Sequence, residues 1–150
     1  MFDILQFIAG QKVEEFQPGS IVMEQGGKSG PLLVLIKGEI EVLRDNMRVA
    51  KISEPGAIFG EMSVLLECDH TATVRALQAC SFAIIEDPWQ FLASSTGASL
   101  HVARLLAHRL SSLNKYLVDV RQQYADHDHI GMVDGILDVL MHHQPRRPQG

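Results

Sequence analysis

Apolar and polar positions change their rhythm once along this chain, near Asp87. Before it, short apolar runs are separated by turn signals at Pro18-Gly19, Gly26-Gly27, Gly30-Pro31, Gly38, Asp45-Asn46, Pro55-Gly56 and Gly60. The runs SIVM, LLVLIK, EIEVL, RVAKI, TATVRA and SFAIIE fill the gaps. Ala72, Val74 and Ala76 alternate with polar neighbours, as do Ile40 and Val42, which is the period of a half-buried strand. Short strands at near-regular spacing predict an antiparallel β-sandwich or barrel. No gap has the length of a crossover helix, which excludes a doubly wound parallel sheet.

After Asp87 the pattern is helical. Asp87 is expected to cap a helix that begins at Pro88, an N-cap acid followed by an N1 proline. This short helix, around WQFLAS, is predicted to end near Ser95-Thr96-Gly97. A longer one follows, from about Ser99 to Tyr124. A last amphipathic segment puts Val133, Ile136, Leu137 and Leu140 on one face and stops at Pro145. In the long helix Leu106, Leu110, Leu113, Leu117, Val120 and Tyr124 are spaced 4, 3, 4, 3, 4. A wider 3.6-period stripe would suffice to pack the helix on its own β-region. The strict 3.5 period favours a partner helix, hence a homodimer. The expected division is residues 1–97 for the β-region and 98–150 for the helical region.

At 150 residues the chain has room for one domain with a sizeable core. Its formal net charge of −5 argues against a general nucleic-acid surface. The clearest basic cluster, Arg146-Arg147, reads as a terminal tail. No apolar run approaches a membrane span, and MFDILQFIAG carries an acid where a secretory signal carries bases. Cys68 and Cys80 are too few for a disulfide framework, so they read as reduced thiols of a cytoplasmic protein. His70 is the β-region's lone histidine, which excludes a metal-dependent barrel enzyme. No nucleophile is paired with a base, so neither catalysis nor a cofactor is expected.

The candidate chemistry lies in IFGEMSVLLECDHTATVRA, residues 58–76. Gly60 permits a turn, or a close approach by a ligand, that a Cβ would obstruct. Glu61 is an acid among Ile58, Phe59, Met62, Val64 and Leu65, and a carboxylate there needs hydrogen-bond donors. Glu61 to Leu66 fits one short helix, and Glu67-Cys68-Asp69-His70 is a turn into the strand TATVRA. Arg75 has the opposite parity to Val74 and Ala76 and is expected to face outward.

FGEMSVLL, a short turn and TATVRA resemble the phosphate-binding cassette of cyclic-nucleotide-binding domains. Upstream, FQPGSIVMEQGGKSGPLLVLIKGEIEV is similar to that family's strands and glycine turns, and PGAIFGE to the approach to the cassette. The likeness covers about residues 11–87. It implies an α+β, mainly β fold: a jelly-roll-like antiparallel β-roll followed by C-terminal helices, one of them a long dimer helix. It also implies a stand-alone sensor or regulatory module with cAMP, cGMP or a related small anion as ligand. In that likeness Glu61 accepts from the ribose 2′-hydroxyl. Gly60 and the amides of Met62 and Ser63 lie along the ribose-phosphate, Thr71 donates to phosphate or base, Val74 and Leu35 line the pocket, and Phe59 is counted with the ligand-binding residues. Family members that bind DNA carry a helix-turn-helix domain after the dimer helix. Residues 126–150 are too few for one and hold no basic recognition helix, so direct nucleic-acid binding is not expected.

One position departs from the family. The arginine that grips the cyclic phosphate is replaced by His70. Arginine brings a permanent charge and a planar fork of donors, whereas neutral imidazole brings one donor. A buried phosphate without its charged partner loses about 2–5 kcal/mol, which turns a micromolar site into one near millimolar. Three readings of His70 stay open: a weaker, pH-sensitive phosphate contact, a degenerate site on a constitutive dimerisation or interaction module, or a site for a different ligand.

Overall fold

The structure, a computed structural model, describes residues 4–123, 135–136 and 139–140. Eight strands form two antiparallel sheets. They are β1 (Lys12–Phe16), β2 (Ile21–Met23), β3 (Leu32–Lys37), β4 (Ile40–Arg44), β5 (Met47–Ile52), β6 (Ile58–Phe59), β7 (Thr73–Ala76) and β8 (Cys80–Ile85). One sheet has the order β1-β8-β3-β6 and the other β2-β7-β4-β5. Around them lie a 3-10 turn at Ile4–Gln6 and the α-helices α1 (Glu61–Leu66), α2 (Pro88–Ser94) and α3 (Thr96–Gln123). The antiparallel β-roll with C-terminal helices is therefore as expected. β1 and β6 lie outside the runs read as strands.

Between the sheets, Leu33, Leu35, Ile40, Phe59, Val74, Ala76, Cys80, Phe82 and Ile84 form the core. Phe82 is its centre, with Phe16 and Phe59 meeting it edge-on at 5.6 and 6.0 Å between ring centres. That geometry suits the aromatic quadrupole. β3 is buried on both faces, since Leu32 and Val34 are as inaccessible as Leu33 and Leu35. This explains its unbroken apolar run. The buried Ile4, Ile8, Leu92, Ala98 and Val102 come from the segments before β1 and after β8.

α2 starts as predicted: Gln90 N donates to Asp87 Oδ1 at 3.1 Å, with Pro88 in the first turn. α3 starts earlier than predicted. Ala98 N donates to Ser95 Oγ at 3.2 Å, so Ser95 closes α2 and caps α3 together, and Gly97 lies inside the first turn rather than ending a helix. The chain divides into compact units at 1–102 and 103–150. Tyr124 and most of the predicted last segment lie outside the described residues.

Arg75 faces outward, as its parity requires, and what it meets there was not anticipated. Glu41, its cross-strand partner, is 1% exposed. Arg48 reaches the carboxylate through Nε at 2.7 Å, and Arg75 binds its other oxygen. The hydrogen bonds from Arg48, then those from Arg75, hold the Glu41 carboxyl below the ordinary carboxylate range. A carboxylate with a lowered folded pKa contributes stability above its unfolded pKa and loses it as pH falls through the folded value. Glu41→Gln is therefore expected to be destabilising near neutral pH, with the gap to wild type shrinking on acidification. Urea midpoints between about pH 6 and about pH 3, spanning the carboxylate range, check this. A gap that stays constant with pH would show that the charge of Glu41 is irrelevant.

Candidate functional site

The segment singled out in the sequence forms a β6–α1–turn–β7 cassette. Gly60 stands before α1 with φ +89°, and a Cβ there would lie 3.1 Å from the Pro31 carbonyl. The turn and the close approach both require glycine. Glu61, next in the chain, is 3% exposed. The helix ends at Glu67, whose left-handed φ of 53° returns the chain, with Cys68 N bonded to Ser63 O at 3.1 Å. Phe59 and Val74 belong to the core, as does Leu35. Met62 turns its side chain to solvent, and Thr71 is half-buried.

The return brings Ser63 and His70 together. Ser63 is 1% exposed, and its hydroxyl lies 3.0 Å from the Gly60 carbonyl and 3.0 Å from His70 Nδ1. This corrects the expectation that no hydroxyl is paired with a base. The pair spans seven residues and closes only through the left-handed Glu67. It is not an activated nucleophile, because the Ser63 hydroxyl donates to Gly60 and is enclosed.

A second neighbour of His70 was also missed. Gly26 N donates to His70 O at 2.8 Å, and His70 N donates to Gly27 O at 2.9 Å. The loop between β2 and β3 is thus stitched to residue 70, and Lys28 reaches Asp69 at 3.6 Å as an exposed ion pair. Gln25 holds the same loop to Asp45 in the β4–β5 turn through two bonds of 2.9 Å. Gly26-Gly27 was legible as a turn but not as the partner of residue 70. Burial lowers the His70 pKa, and the Asp69 charge partly opposes this. A histidine with a lowered folded pKa favours the fold above its unfolded value, and that contribution is lost as pH falls through the folded value.

An enclosed acid, a glycine-led short helix and a histidine in the turn before β7 thus stand together in one β6–α1–turn–β7 segment of the β-roll. The cyclic nucleotide-binding domain family profile matches residues 13–88. The chain belongs to that family. It is 27% identical over 84 residues to the cGMP-dependent protein kinase egl-4 of Caenorhabditis briggsae, and equally to that of Caenorhabditis elegans. Those matches span 55% of this chain and 11% of each kinase. Among solved structures, the catabolite activator protein of Thermus thermophilus superposes with a TM-score of 0.68 at 21% identity, covering 78% of this chain and 58% of that one. A transcriptional regulator from Thermotoga maritima gives 0.67 at 17% identity, covering 80% and 98%. The regulatory subunit of a cAMP-independent protein kinase A from Trypanosoma brucei gives 0.50 at 24%, covering 55% and 30%.

Proposed function

We propose that this chain is a regulatory module that takes a small ligand in the cassette from Phe59 to Val74 and passes the occupancy of that site to α3. The supporting observation is the short helix led by Gly60 and the buried Glu61, in the segment that resembles the family's cassette, with His70 in place of the phosphate-gripping arginine. The ligand class is a cyclic nucleotide, cAMP or cGMP, or a related small anion, bound weakly because no permanent charge stands at residue 70. A ligand shifts α3 only if it has different affinities for two positions of the helix. The module works without catalysis, membrane or direct nucleic-acid contact, in the cytoplasm, where Cys68 and Cys80 stay reduced. Calorimetric titration with cAMP and cGMP at about pH 6 and about pH 8, on either side of the ordinary imidazole pKa, tests the reading. Binding that strengthens at the lower pH supports it. Silence at millimolar ligand leaves a degenerate domain.

A second reading has its own observation. Leu110 and Leu113 of the heptad seam are 42% and 46% exposed, while Leu106, Leu117 and Val120 are half-buried. An apolar seam left this open on a 28-residue helix suits a second copy of the helix. A constitutive homodimer follows, whatever the cassette binds. Leu113→Asp is expected to convert a dimer into a monomer by light scattering, because it sets two carboxylates against each other in the seam. A wild-type monomer would remove the dimer from the proposal.

A further inference from the structure

Resting on the reading of the cassette as a ligand site, we infer that in neutral solution its ligand meets His70 with a hydrogen-bond donor, a hydroxyl or an N–H, and that an anionic phosphate is accepted there only when His70 carries its second proton. The Ser63 hydroxyl has one proton, and the Gly60 carbonyl can only accept. Oγ stands 3.0 Å from each of its two partners. Both contacts are hydrogen bonds only when the hydroxyl donates to Gly60 and His70 Nδ1–H donates to the hydroxyl. The proton of the neutral ring is thereby assigned to Nδ1, and Nε2 carries a lone pair.

The ring is held in this orientation. Releasing Nδ1 would leave an enclosed hydroxyl oxygen short of a donor, which is unfavourable. The Cδ2 edge faces Gly27, 3.5 Å from where a Cβ would stand. Nε2 is the remaining polar atom of the ring, and no described protein group hydrogen-bonds to it. A lone pair repels phosphate oxygens and welcomes a donor.

The surroundings do little to favour the imidazolium. On the ring's own turn Asp69 favours it, but Asp69 is engaged by Lys28 from the loop that packs against the ring. The other ionisable groups of the packed elements are Glu24 on that loop, Glu61 on α1, and Glu67 and Cys68 in the turn that follows it. Burial of the ring favours the neutral form. A cyclic nucleotide joins its 3′ and 5′ oxygens through an anionic diester, whereas the parent nucleoside presents hydroxyl donors at the same two oxygens. In neutral solution this geometry therefore favours, over the weakly bound cyclic nucleotide or anion, an uncharged and hydroxyl-bearing ligand of the nucleoside kind.

The test titrates wild type and His70→Arg with adenosine, guanosine, cAMP and cGMP at about pH 8 and about pH 6, spanning the imidazole range. At the higher pH, wild type is expected to bind a nucleoside at least about tenfold more tightly than its cyclic nucleotide. Cyclic-nucleotide affinity should rise about tenfold per pH unit down to the His70 pKa, the slope of one linked proton. His70→Arg should reverse the preference at both pH values. Wild type preferring cyclic nucleotide at the higher pH overturns the inference. So does a result in which His70→Arg binds cyclic nucleotides and wild type binds neither class, which makes the wild-type cassette degenerate, whereas the first outcome leaves the cassette reading standing. No binding by either protein overturns the cassette reading itself. Nitrogen-15 histidine spectra of the free protein give an independent readout. Nδ1–H is expected, with a shift toward Nε2–H in Ser63→Ala, and an Nε2–H ring in wild type overturns the inference whatever binds.

Discussion

His70→Arg is expected to strengthen cyclic-nucleotide binding by at least tenfold. The gain comes from placing a permanent charge and a fork of donors at the head of β7, where the family's cassette meets the phosphate. Truncated buried charge pairs put such a contact at about 2–5 kcal/mol. Against this, the variant gives up the bond from His70 to the enclosed Ser63 hydroxyl, which offsets about 1 kcal/mol. The difference, about 1–4 kcal/mol, is centred above the 1.4 kcal/mol that corresponds to about a factor of ten. Space favours the change, because Gly27 brings no side chain to the ring and residue 70 is half-buried rather than enclosed. The arginine also removes the titrating group, so any pH dependence of binding near neutrality should vanish with it. Calorimetry reads both effects. Unchanged affinity would mean that some other part of the cassette, and not the missing charge, keeps the phosphate out.

The cassette was legible because its signals are local. A glycine, an acid and a β-strand follow one another within residues 60–76, and each has a backbone reason to be there. The outward parity of Arg75 was equally local, since period two needs only its neighbours. Its destination was not. Glu41 lies 34 residues away, and its enclosure depends on the register of β4 against β7 and on a bulge that brings Arg48 opposite Leu43. β1 escaped notice because Lys12, Glu14 and Glu15 make an edge strand look like a loop, and β6 because two residues carry no period. The Ser63–His70 contact was hidden for a similar reason. Which way the turn at residues 67–69 brings the chain back is decided by the left-handed Glu67 and by the glycine loop that pairs with residue 70 from 43 positions upstream, Gly27 being its partner. The start of α3 was misplaced because Gly97 was weighed as a terminator, while the cap that counted was the serine two residues before it.

Gly38→Ala is expected to be the most damaging single methyl that can be added to the described β-roll. Gly38 turns β3 into β4 with φ +110°, a region in which a side chain is strained in any surroundings. The surroundings here add to the strain. A Cβ would stand 2.6 Å from Cys80 Sγ, 2.7 Å from the Ala79 carbonyl oxygen and 2.9 Å from Cys80 Cα. Two of those three atoms are backbone, and the sulfur is fixed by contacts to the Glu39 and Gln78 carbonyls at 3.3 and 3.2 Å. The turn has no room to retreat, because Leu77 N and Gln78 N both donate to Glu39 O. Strain and overlap together are expected to cost about 3 kcal/mol or more, lowering the thermal midpoint by on the order of 10 °C for a domain of this size. Gly19→Ala separates the two causes. Gly19 has φ +83° but nothing within 4 Å of where its Cβ would lie, so it carries the strain without the overlap and should cost about 1 kcal/mol. Thermal melts of the two variants, followed by circular dichroism, give the comparison directly. A Gly38→Ala midpoint no lower than that of Gly19→Ala would show that the β3–β4 turn can lift away from Cys80. In that case the packing of this turn against β8 contributes little to holding the two sheets together.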